Sequence, residues 1–244
     1  MTKEFKKPES MKDAVTHYCP GCGHGLIHRL ICEVIDEMGV RDKTVAIAPV
    51  GCAVLAYDYW DFDTMEAAHG RTPAVATGVK RVLPDRLVFT YQGDGDLAAI
   101  GTAEIIHTAN RGENISVIFV NNGVYGMTGG QMAPTTLLGQ TTATSQFTRR
   151  QDKEGFPIKM LEMMKVLSGA VYLERTSLHS PREIFNTKRA IKKSFEYQMA
   201  NKGFSMVEVL SPCPTYWGMT PLQSMDRIEK EVIKEYPLGV VKDQ

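Results

Sequence analysis

The sequence predicts an α/β fold in which a parallel sheet carries helices on both faces. Short runs rich in β-branched residues alternate along the chain with amphipathic segments of helical period, and polar or glycine-rich loops follow the β-rich runs. The 244 residues are 43% hydrophobic and 23% charged, which suits a globular protein with a sizeable core. We therefore predict one domain, residues 1–244, with an N-terminal cysteine loop and a short C-terminal helical tail.

The elements follow from the periodicity of the apolar residues. The first helix is predicted because apolar residues from Leu26 to Met38 recur on one helical face, and the run TVAIAPV that follows is typical of a buried strand. The same reasoning predicts strands at 44–50, 86–92, 115–122, 170–174 and 204–210. It predicts helices at 26–38, 73–82, 97–110, 155–168, 181–201 and 221–236. Ligands of such sheets bind at the carboxyl ends of the strands, so the loops after the strands are where functional residues are expected.

Charge and hydropathy exclude several classes of partner. Lysine plus arginine (28) balances aspartate plus glutamate (28), so the charge indicates neither nucleic acid nor an anionic membrane surface as partner. We find no apolar run of about 18 residues, and the N-terminal segment lacks the apolar stretch of a secretory signal. We therefore expect a cytoplasmic protein. Thiols stay reduced in that compartment, so its five cysteines are expected to be metal ligands, catalysts or core residues rather than a disulfide framework.

Two loops carry polar residues at the ends of neighbouring predicted strands. Gly93, Asp94 and Gly95 follow the strand at 86–92, and VNNGVYGM ends the strand at 115–122. A lone GDG is most often a tight turn, since Gly and Asp are common turn residues. A carboxylate and an amide oxygen that lie side by side could, however, both act as ligands of a divalent cation, and a diphosphate could bind next to that cation. Asp94 with Asp96 alone could also indicate acid/base chemistry or a calcium loop, although no further ligands follow at calcium-loop spacing.

The cysteines form a second pattern. Cys19 and Cys22 lie in YCPGCGHG, Cys52 follows the first predicted strand, and Cys213 follows the last. Four thiolates suit either tetrahedral zinc or a [4Fe–4S] cluster, and the spacing alone does not decide between them. One close pair with two distant single cysteines favours a cluster held by a folded domain. Cys32 lies on the apolar side of the first helix and is expected in the core.

The two loops together resemble a known cofactor motif. GDG followed by NN after residues 96–120 resembles the thiamine diphosphate motif of transketolases, decarboxylases and 2-oxoacid oxidoreductases. The resemblance implies that Asp94, Asn122 and the main-chain carbonyl of Val124 ligate Mg²⁺. It also implies that four further residues line the diphosphate and the rest of the cofactor, namely Gly95, Asp96, Gly126 and Met127.

Several motifs together resemble one family. The sequences YCPGCGHG, APVGCA, AAHGRTPAVATGVK, GDGDLAAIG, VNNGVYGMTGGQ, APTT and SPCPTYWG are similar to those of the β subunit of the 2-oxoacid:ferredoxin oxidoreductases, over about residues 15–220. The resemblance implies a thiamine diphosphate-binding fold of the diphosphate-binding type. It further implies a [4Fe–4S] cluster on Cys19, Cys22, Cys52 and Cys213. Val50, Gly51, Cys52 and Ala53 would contact both cofactor and cluster, His69 would contact the cofactor, and His24 would be a loop residue near the cluster.

The same resemblance implies the reaction and the partners. The expected activity is oxidative decarboxylation of a 2-oxo acid with coenzyme A, giving acyl-CoA and CO₂ and passing electrons through the cluster to ferredoxin. The substrate is expected to be 2-oxoglutarate or a branched-chain 2-oxo acid. The catalytic glutamate is expected on an α subunit, with γ or δ subunits as further possible partners, so the isolated chain is expected to be inactive. The short tail after Cys213 leads us to expect an oxygen-sensitive cluster.

Two alternatives stay open at this point. The chain could be a subunit of a non-redox thiamine diphosphate decarboxylase or synthase, in which CPGC binds zinc or nothing. It could also be a non-catalytic scaffold subunit stabilised by zinc, in which the glycine-rich turns are only turns. Metal analysis and thermal stabilisation by thiamine diphosphate with Mg²⁺ distinguish these readings.

Overall fold

A computed structural model of the chain describes residues 6–244 and contains a seven-stranded sheet in the order β2-β1-β3-β4-β8-β7-β9. Its strands all run parallel except β9, which pairs antiparallel with β7 at one edge. The strands are β1 (Thr44–Ala48), β2 (Asp63–Glu66), β3 (Leu87–Gly93), β4 (Ser116–Asn121), β7 (Ala170–Ser177), β8 (Phe204–Leu210) and β9 (Gly239–Asp243). A separate two-stranded ribbon pairs β5 (Val124–Tyr125) with β6 (Gln131–Met132). The prediction of a parallel sheet is confirmed.

The helices cover both faces of this sheet. They are α1 (Gly23–Met38), α2 (Thr72–Val82), α3 (Thr102–Asn110), α4 (Gln151–Glu154), α5 (Met160–Lys165), α6 (Pro181–Met199), α7 (Pro214–Trp217), α8 (Pro221–Arg227) and α9 (Ile233–Glu235). The segments Arg41–Lys43 and Val54–Asp58 are 3-10 turns, and Asp96–Ile100 and Ile228–Val232 are π-helical.

Two buried clusters sit on opposite faces because neighbouring strand residues point in opposite directions. Phe89 of β3 belongs to the cluster with Ile31 of α1 and Phe195 of α6. Val88, its neighbour in the chain, belongs to the cluster with Ile105 of α3 and other residues of α2, α3 and α5. The expectation of helices on both faces is therefore confirmed, and Cys32 is fully buried in the first cluster as predicted.

The predicted helix at 97–110 differs in its first turns. The structure begins there with a π-helical turn at Asp96 and becomes α-helical only at Thr102. Gly101 lies between the two parts, and a Cβ at this position would come 2.5 Å from the carbonyl oxygen of Asp96 and 2.9 Å from that of Gly70. The turn directly after GDG is therefore wound more widely than a regular α-helix, and it ends where these backbones lie close together.

Two other predicted helices also have different bounds. The helix expected at 155–168 is shorter, because Gly155 has a left-handed backbone and Pro157 disfavours a helical residue before it, so α5 starts only at Met160. The helical tail predicted at 221–236 is present as α8, a π turn and α9, but the chain then continues into β9. β2 was not predicted, because three of its four residues are polar and it is largely exposed, so it lacks the apolar pattern of a buried strand.

Candidate functional site

Four loops meet at one edge of the sheet because they follow four adjacent parallel strands. The strands β1, β3, β4 and β8 are neighbours in the sheet. Their carboxyl ends lead into residues 49–53, 94–96, 122–128 and 211–213. These are the loops that the sequence analysis selected, and the fold brings them together as expected for a parallel sheet.

A cavity of about 150 Å³ opens between the first three loops. All the residues predicted to bind the cofactor or Mg²⁺ at this edge line it: Val50, Gly51, Cys52, Ala53, His69, Asp94, Gly95, Asp96, Asn122, Val124, Gly126 and Met127. The sequence analysis did not select four other lining residues, Pro49, Gly93, Tyr125 and Thr128. The predicted residues thus share one cavity, which we name the cofactor cavity.

Asp94 is buried and held by three hydrogen bonds. Its Oδ1 accepts from the backbone N–H of Gly95 (2.9 Å), and its Oδ2 accepts from the backbone N–H of Gly123 (2.7 Å) and the hydroxyl of Thr135 (2.6 Å). Burial raises the pKa of Asp94 to about 6, and these hydrogen bonds oppose the rise because they favour the charged form. Thr135 is a site residue that the sequence analysis missed.

Asp96 also lines the cavity, but its carboxylate is bonded on both oxygens. Oδ1 lies 2.6 Å from Nδ1 of His69 and accepts from the N–H of Gly70 (2.8 Å). Oδ2 accepts from the side-chain amide of Gln92 (2.7 Å) and from the hydroxyl of Thr72 (3.5 Å). Asp96 therefore fixes the orientation of His69 at the cavity wall.

The loop after β4 is connected to the last helices of the chain. The side-chain oxygen of Asn122 accepts from the N–H of Val124 (3.2 Å). Its backbone carbonyl accepts from the indole N–H of Trp217 in α7 (3.0 Å). A segment only four residues beyond Cys213 therefore touches the loop that carries Asn122.

Two glycines make room for close contacts in the cavity wall. A Cβ on Gly95 would lie 2.2 Å from the ring of Tyr125, and a Cβ on Gly126 would lie 2.8 Å from Sγ of Cys52. Real Cβ atoms do not approach other atoms so closely, so both positions require glycine. Gly126 lies directly against the sulfur of Cys52.

Cys19, Cys22, Cys52 and Cys213 line a second cavity, of about 210 Å³, which we name the thiol cavity. It shares five wall residues with the cofactor cavity: His24, Cys52, Asn122, Gly126 and Met127. The fold therefore brings together the four cysteines that the sequence analysis selected, and Cys52 faces both cavities. Cys32 is not among the residues of either wall.

Burial opposes ionisation of three of these thiols. Burial first and neighbouring thiols second raise the pKa of Cys22 to about 11 and the pKa values of Cys52 and Cys213 to about 12. Backbone N–H groups act in the opposite direction at Cys22 and Cys213. Within residues 6–244, no three His, Cys, Asp or Glu side chains are gathered as a site for a metal ion.

His24 is not a loop residue, contrary to the expectation. It lies in the first turn of α1, it is 3% exposed, and its Nδ1 is 2.7 Å from the hydroxyl of Tyr91. Burial lowers the pKa of His24 to about 4, so its ring is neutral at neutral pH. The helix begins earlier than predicted because the apolar pattern starts only at Leu26, three residues after its first turn begins.

The fold and the cofactor cavity define the class of a thiamine diphosphate-binding domain. In agreement, the family model described as "Thiamine pyrophosphate enzyme, C-terminal TPP binding domain" matches residues 49–209. Within the described residues 6–244, none of the helices combines the length and apolar character needed to cross a membrane.

Curated relatives narrow the class. The chain is 48% identical to the ketoisovalerate oxidoreductase subunit VorA of Methanothermobacter thermautotrophicus, over 100% of this chain and 54% of the relative. It is 36% identical to the 2-oxoglutarate synthase subunit KorB of Methanocaldococcus jannaschii, over 85% of this chain and 73% of the relative. The chain spans about half the length of the VorA relatives that it matches.

A solved structure supports the same family. The 2-oxoglutarate:ferredoxin oxidoreductase from Magnetococcus marinus, with 2-oxoglutarate, coenzyme A and succinyl-CoA bound, superposes with a TM-score of 0.80 at 25% identity, covering 99% of this chain and 86% of that one. The chain therefore belongs to the thiamine diphosphate-binding β-type subunits of the 2-oxoacid:ferredoxin oxidoreductases. The resemblance seen in its motifs is confirmed.

Proposed function

We propose that this chain is the cofactor-binding part of an enzyme that oxidatively decarboxylates a 2-oxo acid with coenzyme A and passes the electrons to ferredoxin. One observation carries the proposal: the cofactor cavity and the thiol cavity share a wall that contains Cys52 and Gly126. Electrons released in the first cavity have the shortest route to acceptors in the second through this wall. A decarboxylase without redox chemistry has no need of that arrangement.

The cofactor cavity fits thiamine diphosphate with Mg²⁺. Mg²⁺ prefers oxygen ligands, and the three residues whose oxygens the family resemblance assigns to the ion, Asp94, Asn122 and Val124, line one cavity. Gly95 and Gly126 let the ring of Tyr125 and the Sγ of Cys52 lie against the backbone of this wall, a packing that a Cβ at either position would disturb. When bound, thiamine diphosphate supplies the carbanion chemistry that cleaves the bond between the keto carbon and the carboxylate.

The thiol cavity fits a [4Fe–4S] cluster held by Cys19, Cys22, Cys52 and Cys213. Four thiols around a cavity of about 210 Å³ suit a polynuclear group, whereas a single zinc ion needs four ligands about 2.0–2.3 Å from one point. Burial is the main cause of the raised pKa values of these thiols and the neighbouring thiols add to it, and bound iron ions would compensate the charge of the thiolates. We therefore favour the cluster over the zinc alternatives.

This chain's own residues orient and shield the reacting groups. Asp96 holds His69 at the wall of the cofactor cavity by its 2.6 Å contact with Nδ1, so the His69 ring would keep one orientation beside the cofactor. His24, neutral and tied to Tyr91, separates the two cavities without adding a charge. The glutamate that activates the cofactor in thiamine enzymes is expected on an α subunit, and γ or δ subunits are further candidate partners.

The proposed substrate is a branched-chain 2-oxo acid. The support is that the ketoisovalerate oxidoreductase subunit is 48% identical to this chain, while the 2-oxoglutarate synthase subunits are 36% identical or less. The second candidate is 2-oxoglutarate, which is bound in the solved oxidoreductase structure that this chain resembles.

Metal analysis and anaerobic turnover test the proposal. We expect about four irons and four sulfides per chain in the complex purified without oxygen. With thiamine diphosphate, Mg²⁺ and coenzyme A, that complex should reduce ferredoxin fastest with 2-oxoisovalerate, and the isolated chain should not turn over. One zinc per chain, or decarboxylation without ferredoxin reduction, would contradict the proposed function. Faster turnover of 2-oxoglutarate would overturn only the choice of substrate.

A further inference from the structure

We propose that the turn Ala133–Thr136, the APTT sequence, determines which oxygen of Asp94 faces the cofactor cavity, and that Arg149 and Tyr236 hold this turn in place. The proposal rests on the proposed function in that it takes Asp94 as a ligand of Mg²⁺. Neither the predicted ligand set nor the cofactor contacts include any residue of this turn. Its residues are all buried except Pro134, which is partly buried.

The hydrogen bonds of Asp94 distinguish its two oxygens. A carboxylate oxygen offers about two lone-pair sites. Oδ2 uses both, for the N–H of Gly123 (2.7 Å) and the hydroxyl of Thr135 (2.6 Å). Oδ1 accepts one hydrogen bond, from the N–H of Gly95 (2.9 Å), and the N–H of Asn122 also favours the charged carboxylate without a hydrogen bond of that length, so Oδ1 is the less occupied oxygen. Thr135 therefore saturates one oxygen and leaves Oδ1 as the atom that can bind a cation.

The second hydroxyl of the turn acts on the other metal-binding loop. Thr136 Oγ1 donates to the carbonyl of Gly123 (2.6 Å) and accepts from the N–H of Ala133 (2.9 Å). Gly123 has a left-handed backbone (φ 71°), and its own N–H is the second donor to Oδ2 of Asp94. The two threonines thus fix both the carboxylate and the loop that carries Asn122 and Val124.

Arg149 holds the turn from one side. It is 5% exposed, and the hydrogen bonds of its guanidinium in the described chain go to backbone carbonyls. On the turn they go to Ala133 (3.4 Å), Pro134 (2.9 Å) and Thr136 (2.7 Å). A buried guanidinium is costly unless its donors are satisfied, so the position of this side chain and that of the turn depend on each other.

Tyr236 supplies the remaining contact from the C-terminal segment. Its hydroxyl donates to the carbonyl of Thr135 (3.0 Å), and the side chain is 1% exposed. Side chains from two distant parts of the sequence therefore occupy all four carbonyls of the turn. This arrangement makes Thr135 a positioning residue for Asp94, and Arg149 and Tyr236 positioning residues for Thr135.

The test compares Thr135→Val with Thr108→Val in the assembled complex. Thr108 is also fully buried, but its hydroxyl has no hydrogen-bond partner and it lies in α3, so it is the matched control. We measure by calorimetry the Mg²⁺ concentration that gives half-maximal thiamine diphosphate binding. Changes in the partners of metal ligands cost about 10–100-fold in metal affinity, and we expect a rise in this range for Thr135→Val and none for Thr108→Val.

Two further variants separate positioning from folding. Thr135→Ser keeps the hydroxyl and should restore most of the Mg²⁺ affinity, and Tyr236→Phe should raise the Mg²⁺ requirement by a smaller factor than Thr135→Val. The proposal is overturned if Thr135→Val requires no more Mg²⁺ than wild type, or if Thr135→Ser is as impaired as Thr135→Val. A crystal structure of the loaded enzyme with the ion on Oδ2 of Asp94 would also overturn it. Wild-type complex that binds thiamine diphosphate without Mg²⁺ would instead refute the metal site of the proposed function.

Discussion

The two cavities at the carboxyl edge of the sheet are built by different means. In the cofactor cavity, the polar side chains are held by hydrogen bonds within the chain: Asp94 accepts three, and Asp96 is bonded on both oxygens. In the thiol cavity, Cys22, Cys52 and Cys213 have pKa values raised by burial, with little more than backbone N–H groups in opposition. On the proposed function, the first cavity is preorganised for its ligands, whereas the second would need a bound cation to stabilise the thiolates.

The largest effect is expected from Asp94→Ala, which removes the carboxylate of the preorganised cavity. The affinity for thiamine diphosphate in the presence of Mg²⁺ should fall by more than about 100-fold, because even changes in the partners of metal ligands cost about 10–100-fold. Calorimetric titration of the anaerobic complex measures this, with Asp85→Asn on the exposed turn before β3 as control. If the two cavities are independent, iron content stays at the wild-type level. An affinity within threefold of wild type would show that Asp94 is not a ligand.

Cys213→Ser tests the thiol cavity. Serine cannot replace the thiolate as an iron ligand of comparable strength, so we expect iron per chain to fall well below the ~4 of an intact cluster. Binding of thiamine diphosphate with Mg²⁺ should persist, since Cys213 lines only the thiol cavity. Cys32→Ala, in the core and away from both cavities, is the control and should keep its iron. Full iron content in Cys213→Ser would remove Cys213 from the ligand set.

Gly126→Ala alters the wall that the two cavities share. The new Cβ would lie 2.8 Å from Sγ of Cys52, and overpacking of this kind costs about 1–3 kcal/mol. We expect both thiamine diphosphate affinity and iron content to fall together, the affinity by about 5- to 150-fold if the whole cost appears in binding. Gly25→Ala in α1 is the control, because its added Cβ meets nothing within 4 Å. Loss at one cavity alone would show that the wall does not couple them.

The smallest effect is expected from Tyr125→Phe. The hydroxyl of Tyr125 donates to the carbonyl of Gly95 over 3.3 Å, a long hydrogen bond, so its removal should lower the affinity for thiamine diphosphate by about threefold or less. Tyr125→Ala should lower it further, because the ring itself packs against Gly95. Titration of both variants beside Tyr57→Phe, an exposed tyrosine, measures the difference. Equal losses in the Phe and Ala variants would mean that the hydroxyl, rather than the ring, shapes the cavity.

Most of the residues at the carboxyl edge of the sheet could be predicted from the sequence, because their positions follow from the strands and from the residue types in the loops after them. Apolar runs predicted the four strands beside the cavities, and the loops directly after them carry Cys52, Asp94, Asn122 and Cys213. The π turn at Asp96–Ile100 was not predicted, and it ends at Gly101, whose backbone lies close to that of the distant Gly70. Local periodicity carries no information on such contacts.

Thr135 escaped prediction for the same reason. It lies 41 residues from Asp94, and its carbonyl is bound by Tyr236, which is 101 residues away. The APTT sequence was recognised as a family motif, but a short polar turn without a regular pattern does not reveal which side chain its hydroxyls reach. The contact between Thr135 and Asp94 depends on how the C-terminal segment packs against residues 133–136, and this packing can be seen only in the three-dimensional structure.

The intrinsic fluorescence of Trp217 can report on both cavities. Of the two tryptophans, Trp60 is fully buried among aromatic rings, whereas Trp217 is only partly buried, and its N–H is bound to the carbonyl of Asn122. Events that shift the loop at Asn122 alter the polarity around this indole, and its place just after Cys213 would expose it to quenching by the iron proposed for the thiol cavity. The emission of the unlabelled protein should therefore change in wavelength when the cofactor cavity fills and in intensity when the thiol cavity fills, so that one spectrum can follow the loading of both.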